Sequence, residues 1–230
     1  MAIALIVAGG QGLRMEMSVR KQYLELEGTP VLQRTLMVFD QCSDIERIVL
    51  VVPPPDEEFC RTTIVQSINM TKEVLLVGGG LERQQSVYNG LLSLNIENDE
   101  IVVIHDGVRP FVDSRHIIEC IHAAMDCGAS VLGVPVSDTL KQLDSLGYVE
   151  KTIDRETLWA VQTPQAFQYG LIKAAHDRAV DIHIRATDDA SLVEAMGRPV
   201  KLVLGSRNNI KITTRDDLVL AAALMKDVDI

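Results

Sequence analysis

The sequence predicts an α/β fold: a mostly parallel sheet with helices on both faces, and a protruding β-arm. Three observations carry that prediction. Short runs rich in β-branched residues alternate with helical patterns along the chain. The runs are continuously apolar, as strands covered on both faces must be. One segment breaks the alternation with two extended stretches around a glycine turn. Strand, helix, strand, repeated this often, requires crossovers and therefore neighbouring parallel strands.

Taken in order, the strands are predicted at residues 3–8, 45–52, 73–77, 101–104, 130–134 and 200–204. A helix follows Pro30 over 31–39, where Val31, Thr35 and Phe39 share a face. A second, over 56–68, follows the Pro53-Pro54-Pro55 break. A third over 84–94 puts Val87, Leu91 and Leu94 on one side. Ser114 is the expected cap of a helix over 115–127, with Gly128 as its stop, and a last helix covers 216–225. The irregular segment, about 136–164, reads as a hairpin turning at Asp144-Ser-Leu-Gly147. A two-stranded arm is barely stable alone in water, so it should pack on something, a second copy of the chain being the simplest candidate. With no repeat and no linker, residues 1–230 are expected to form one domain carrying this arm.

Composition narrows the function. The chain has 230 residues, 47% hydrophobic and 23% charged, as soluble globular proteins do. No apolar run reaches bilayer length. The apolar N-terminus lacks a basic region and meets Gly9-Gly10 at once, so it reads as a buried strand rather than a signal peptide, and the expected location is the cytoplasm. A net charge of −10 argues against nucleic acid as a partner, and no membrane partner is expected. Any polyanion must therefore meet basic residues gathered in one pocket. Cys42, Cys60, Cys120 and Cys127 form no CxxC pair and read as small buried hydrophobes in a reducing compartment.

In open α/β sheets ligands bind beyond the carboxyl ends of the strands, and four segments there carry chemistry. Gly9-Gly10-Gln11-Gly12 follows the first strand, with Arg14 and Lys21 close behind. It lacks the third glycine of a dinucleotide fingerprint and the lysine of a P-loop. Backbone amides plus two cations suit a nucleoside triphosphate; the plain alternative is a tight turn with surface cations. Gly78-Gly79-Gly80, with Arg83 and Ser86 after it, lets backbone approach a flat base, or is simply a turn. Asp106 ends a central strand, where an acid serves as a metal ligand beside phosphates or as a turn cap, and His105 reads as a structural hydrogen-bonding residue. Lys211 alternates with Ile210 and Ile212 in an extended pattern, its neighbours buried and its ammonium on the other side. Thr187-Asp188-Asp189 by itself reads as a helix cap.

The segments AGGQGLRM, RKQYLELEGTPVL, GGGLERQQSV, HDGVRPFV, PVSDTLK, TIDRETLW, QTPQAF, TDDASLVE and NIKIT, in this order, resemble the 2-C-methyl-D-erythritol 4-phosphate cytidylyltransferase family of the non-mevalonate isoprenoid pathway. The resemblance implies a Rossmann-like nucleotidyltransferase and a homodimer with interlocking arms. It implies CTP bound with Mg²⁺ or another divalent cation, and attack by a polyol phosphate on the α-phosphorus. Matched motif by motif, Arg14, Lys21 and Lys211 would stabilise the phosphates. Gly9, Gly10, Gly12, Gly80, Arg83, Ser86, Asp106 and Gly107 would line the nucleotide pocket, with Asp106 facing the metal and ribose. Arg109, Thr139, Arg155, Thr163 and Thr187 would hold the methylerythritol phosphate, Thr139 and Arg155 from the arm. The chain departs from the family at Arg20, where proline is usual, which predicts a looser loop around Lys21. Gly107-Val108 and Leu81 are further departures, bearing on the cytosine contact. Rival expectations are a pentitol (ribitol) 5-phosphate cytidylyltransferase, a non-catalytic nucleotide-binding module, and a glycosyltransferase, which would want an Asp-x-Asp motif absent after the central strand.

Overall fold

The structure, a computed structural model, describes residues 1–9 and 20–227. The first strand, β1 (Ala2–Val7), is buried along its whole length. Its alternate side chains divide between two cores: Ala2, Ala4 and Ile6 face one, Ile3, Leu5 and Val7 the other. That division is what a strand covered on both sides produces.

A two-residue ladder, β2 (Glu25–Leu26) with β3 (Thr29–Pro30), leads into α1 (Val31–Gln41). Then come β4 (Ile45–Val52), a short α2 (Glu57–Phe59) running into a π-helical turn, β5 (Val74–Gly78) and α3 (Arg83–Leu92). The helix expected over 56–68 is thus shorter and irregular. β6 (Ile101–Asp106) is followed by α4 (Ser114–Cys127), β7 (Ala129–Pro135) and the arm strands β8 (Leu140–Leu143) and β9 (Val149–Ile153). β10 (Trp159–Gln168), α5 (Tyr169–Asp181), α6 (Ala190–Glu194), β11 (Lys201–Leu204) and α7 (Arg215–Asp227) complete the order.

The main sheet runs β11-β7-β10-β6-β1-β4-β5. Its pairs are parallel except those of β10, which is antiparallel to both β6 and β7. α1 and α4 cover one face; α3, α5 and α6 cover the other. α3 lies close on the sheet because Gly90 has no side chain: a Cβ there would stand 2.6 Å from Leu5.

Three further expectations change. The arm was expected to 164, but from Trp159 the chain is back in the main sheet as β10, so the arm proper is the β8–β9 ladder and its flanks. Its turn carries Gly147 at φ +87, a conformation open to glycine. The α4 cap is Asp113, whose carboxylate accepts from the Arg115 amide at 2.8 Å, rather than Ser114. And the Lys211 segment, expected to be extended, forms no strand; it is held by the Ile212 amide donating to the Val108 carbonyl.

Candidate active site

At the carboxyl end of β6 stands Asp106, buried and bounded by cations. Arg83 donates from Nε to its Oδ1 at 3.0 Å, and Lys211 Nζ lies 2.7 Å from its Oδ2. Arg109 approaches Oδ2 at 3.5 Å, a charge contact rather than a good hydrogen bond. Burial alone would raise the Asp106 carboxyl; the charges of Arg83 and Lys211 override it and hold the group far below the usual carboxylate range. Asp106 is therefore an anion at any working pH.

Each cation is itself anchored. Arg83, at the start of α3, bridges two buried carboxylates: its second donor reaches Asp189 Oδ2 at 2.7 Å. Burial opposes its charge, but Asp189 and Asp106 outweigh burial and raise its pKa, so it stays a guanidinium. Arg109 donates to the Asn209 carbonyl at 2.8 Å. Asn209, fully buried, in turn donates to the Thr163 carbonyl at 2.8 Å and so fixes the segment that presents Lys211.

Behind Asp106 a hydrogen-bond chain sets its backbone. The Asp106 amide donates to the Thr163 hydroxyl at 3.1 Å, and that hydroxyl lies 3.1 Å from His105 Nδ1. His105 Nε2 lies 3.0 Å from the Arg109 carbonyl, which only accepts, so Nε2 carries the proton and Thr163 donates to Nδ1. Burial drives the His105 pKa down to about 4, so the ring is neutral. His105 is structural, as expected, while the Thr163 proton is already committed inside the protein.

Two cavities meet at this cluster. One, of about 180 Å³, is lined by Gly9, Lys21, Ser86, Arg83, Asp106 and Lys211 among others. The other, of about 470 Å³, is lined by Thr163, Thr187, Arg109, Arg83, Asp106 and Lys211 among others. Arg83, Asp106 and Lys211 are common to both and form the wall between them. Of the residues singled out from sequence, Gly10, Gly12 and Arg14 lie outside the described residues. Gly80 and Ser86 form one turn: the Gly80 amide donates to the Ser86 hydroxyl, which donates to the Glu82 carbonyl. Gly107 packs against the β1–α1 junction, where a Cβ would stand 2.9 Å from Leu32. Thr139 and Arg155 are exposed on the arm and line neither cavity, and Arg155 donates to the Ser137 carbonyl. Arg20, expected to loosen the Lys21 loop, is ion-paired to Asp56 at 2.8 Å.

Sequence reasoning missed Asp189, Gln165 and Asn209 as site-forming residues. Gln165 accepts from the Asp189 and Ala190 amides and donates to Asp188, fastening α6 to β10. Their signal was present, as amides and acids inside QTPQAF, TDDASLVE and NIKIT. Asp106 is an ionised, hard oxygen donor, but both of its oxygens are engaged by Arg83 and Lys211. Among the described residues no group of three His, Cys, Asp or Glu side chains could hold a metal.

An α/β sheet with a cationic, carboxylate-centred wall beyond its strand ends belongs to the class that binds nucleotides and phosphorylated ligands there. The family model for IspD, 2-C-methyl-D-erythritol 4-phosphate cytidylyltransferase, matches residues 2–227, and the chain belongs to that family of nucleotidyltransferases. It is 50% identical to the 2-C-methyl-D-erythritol 4-phosphate cytidylyltransferase of Desulforamulus reducens over 224 residues, 97% of this chain and 95% of that one. The enzyme of the same name from Pelotomaculum thermopropionicum is 48% identical, over 97% of this chain and 93% of that one. Among solved structures, the 4-diphosphocytidyl-2C-methyl-D-erythritol synthase of Anaerococcus prevotii superposes with a TM-score of 0.87 at 33% identity, covering 98% of this chain and 96% of that one. Among the described residues no helix is long and apolar enough to cross a membrane.

Proposed function

We propose that the chain transfers CMP from CTP to 2-C-methyl-D-erythritol 4-phosphate, releasing pyrophosphate, in the non-mevalonate isoprenoid pathway. One observation carries the reading: two cavities share a wall of Arg83, Asp106 and Lys211. Two anionic reactants have to be brought together, and their repulsion is the obstacle. The triphosphate lies on the side of Gly9 and Lys21; the polyol phosphate lies on the side of Arg109 and Thr187. A phosphate oxygen of the polyol attacks the α-phosphorus in line, the P–O bond to the β-phosphate breaks, and pyrophosphate leaves. Lys21 and Lys211 offset the charge that develops, in a site already organised before the reaction. A phosphate monoester is already an anionic nucleophile near neutral pH, so no general base is needed and neutral His105 is free to be structural.

Asp106 is the side chain that would hold Mg²⁺ or a similar divalent ion, which supplies further neutralisation of the phosphates. Bound to Arg83 and Lys211 in the resting site, Asp106 also keeps these cations in place. The working form is a homodimer. The arm supports this: Leu143, Leu146, Tyr148 and Val149 are all exposed on it, and an isolated apolar ladder is not stable in water. Thr139 and Arg155, off their own chain's cavities, then complete the polyol site of the partner.

The test is a substrate panel with pyrophosphate readout. Methylerythritol phosphate with CTP should turn over, and ribitol 5-phosphate with CTP, or methylerythritol phosphate with ATP, should not. Preference for ribitol 5-phosphate would move the chain to the pentitol branch, and CTP binding without turnover would make it a binding module.

A further inference from the structure

Lys21 must hold its ammonium at one place, yet it has a flexible four-carbon stem and belongs to a three-residue 3₁₀ turn, Lys21–Tyr23. The residues on either side of it are tied down. Gln22 donates to the Ala8 carbonyl at 2.7 Å, joining the turn to the end of β1. Arg20 Nε lies 2.8 Å from Asp56 Oδ2, with 30% and 18% of the two side chains exposed. The Tyr23 hydroxyl donates to the same Asp56 oxygen at 2.9 Å, and its ring packs edge-on against Phe59. Asp56 itself sits at a rigid corner: it follows three prolines, and its amide donates to the Pro53 carbonyl. The Arg20 backbone stands at φ −66, ψ 141. That φ is the value a proline ring enforces covalently; an arginine reaches it with nothing in its own bonds to keep it there.

We propose that Arg20, Asp56 and Tyr23 form a latch that fixes where the Lys21 ammonium stands, and so act as positioning residues for the transfer. The latch rests on the reading of Lys21 as a phosphate-stabilising cation. Burial pushes the Tyr23 hydroxyl pKa upward, so it remains a donor to Asp56 throughout the working range.

The experiment is steady-state kinetics by pyrophosphate release on Arg20→Ala, Asp56→Ala and Arg20→Pro, each alone and combined with Lys21→Ala. Misplacing a catalytic group by about 1 Å costs up to about a hundredfold. Arg20→Ala and Asp56→Ala should therefore lower kcat on the order of tenfold or more, with the KM for methylerythritol phosphate unchanged. Arg20→Pro, which restores the backbone angle without the charge, should recover most of that loss. With Lys21 already removed, neither alanine variant should cost anything further. The proposal is overturned if kcat stays within twofold in Arg20→Ala, or if the losses are equal with and without Lys21, as a merely structural role would give. Arg20 is partly exposed, so its variants keep the test open should Asp56→Ala fail to fold. Absence of turnover in the unaltered protein sinks the functional reading instead. The latch is then judged by CTP affinity in calorimetry, which Arg20→Ala weakens severalfold only while Lys21 is present.

Discussion

Replacing Lys211 by alanine takes one cation from the wall that both cavities share. Its ammonium is 2.7 Å from Asp106; the Lys211 side chain is 38% exposed and that of Asp106 8%. The Asp106 partner is buried, but Arg83 and Arg109 remain to compensate its charge when Lys211 is removed. The fold should therefore survive. The transition state loses more, because a preorganised donor aimed at developing charge is worth about 2.7–4 kcal/mol, or 10²–10³ in kcat. Lys211→Arg should retain part of the rate, since it keeps the charge while changing its shape and reach. Steady-state pyrophosphate release gives kcat and both KM values, and thermal denaturation reports the fold. A kcat within threefold of the unaltered protein would refute the role of the shared wall. So would a loss explained by partial unfolding.

The buried ring of His105 makes stability depend on pH. Its folded pKa, about 4, is depressed below the ordinary value of 6.5. Between those values the unfolded chain takes up a proton that the folded chain refuses, so unfolding free energy should fall as pH drops from 6.5 towards 4. Denaturant titrations at pH 7 and pH 5 measure this; His105→Gln should shrink the difference, and an undiminished one would discard the account. The Asp106 contribution lies elsewhere: its depressed pKa stabilises above about pH 3.8 and is lost only below that. On the arm, Arg155→Ala should raise the KM for the polyol phosphate. Mixing that variant with Lys21→Ala should recover part of the activity if sites are shared between chains, and no recovery would point to self-contained sites.

The parallel strands were legible because each is a short apolar run followed by a turn of glycine, proline or acidic residues. β10 was not. Its central Gln162, Thr163 and Pro164 fall at the end of the expected arm and Gln165 in no expected element, yet Gln162 donates to the Ser206 carbonyl and Gln165 fastens α6, so distant partners satisfy polar groups that local sequence shows as misplaced. α5 was missed although Ile172, Ala175, His176 and Ala179 form a buried stripe. Its cap residue Gln168 makes no side-chain hydrogen bond and Gly170 sits in the first turn, so the usual opening signals are absent. Within the site, the order of motifs pointed to Asp106, Lys21 and Lys211. It did not show that Arg83 serves two acids, because Asp189 lies 106 residues further on. The departure at Arg20 was visible, but its meaning depended on Asp56, which only folding brings near.

β10 runs against its neighbours, and Trp159 stands opposite Pro135 at the mouth of the sheet. The peptide that leaves β7 at the ligand end must therefore come home at the same end, bringing Thr163 with it. The root of the arm therefore adjoins the cavity that Val161, Gln162 and Thr163 line. Trimming the tip near Gly147 should leave that lining in place, whereas adding or removing a residue at the root would shift it.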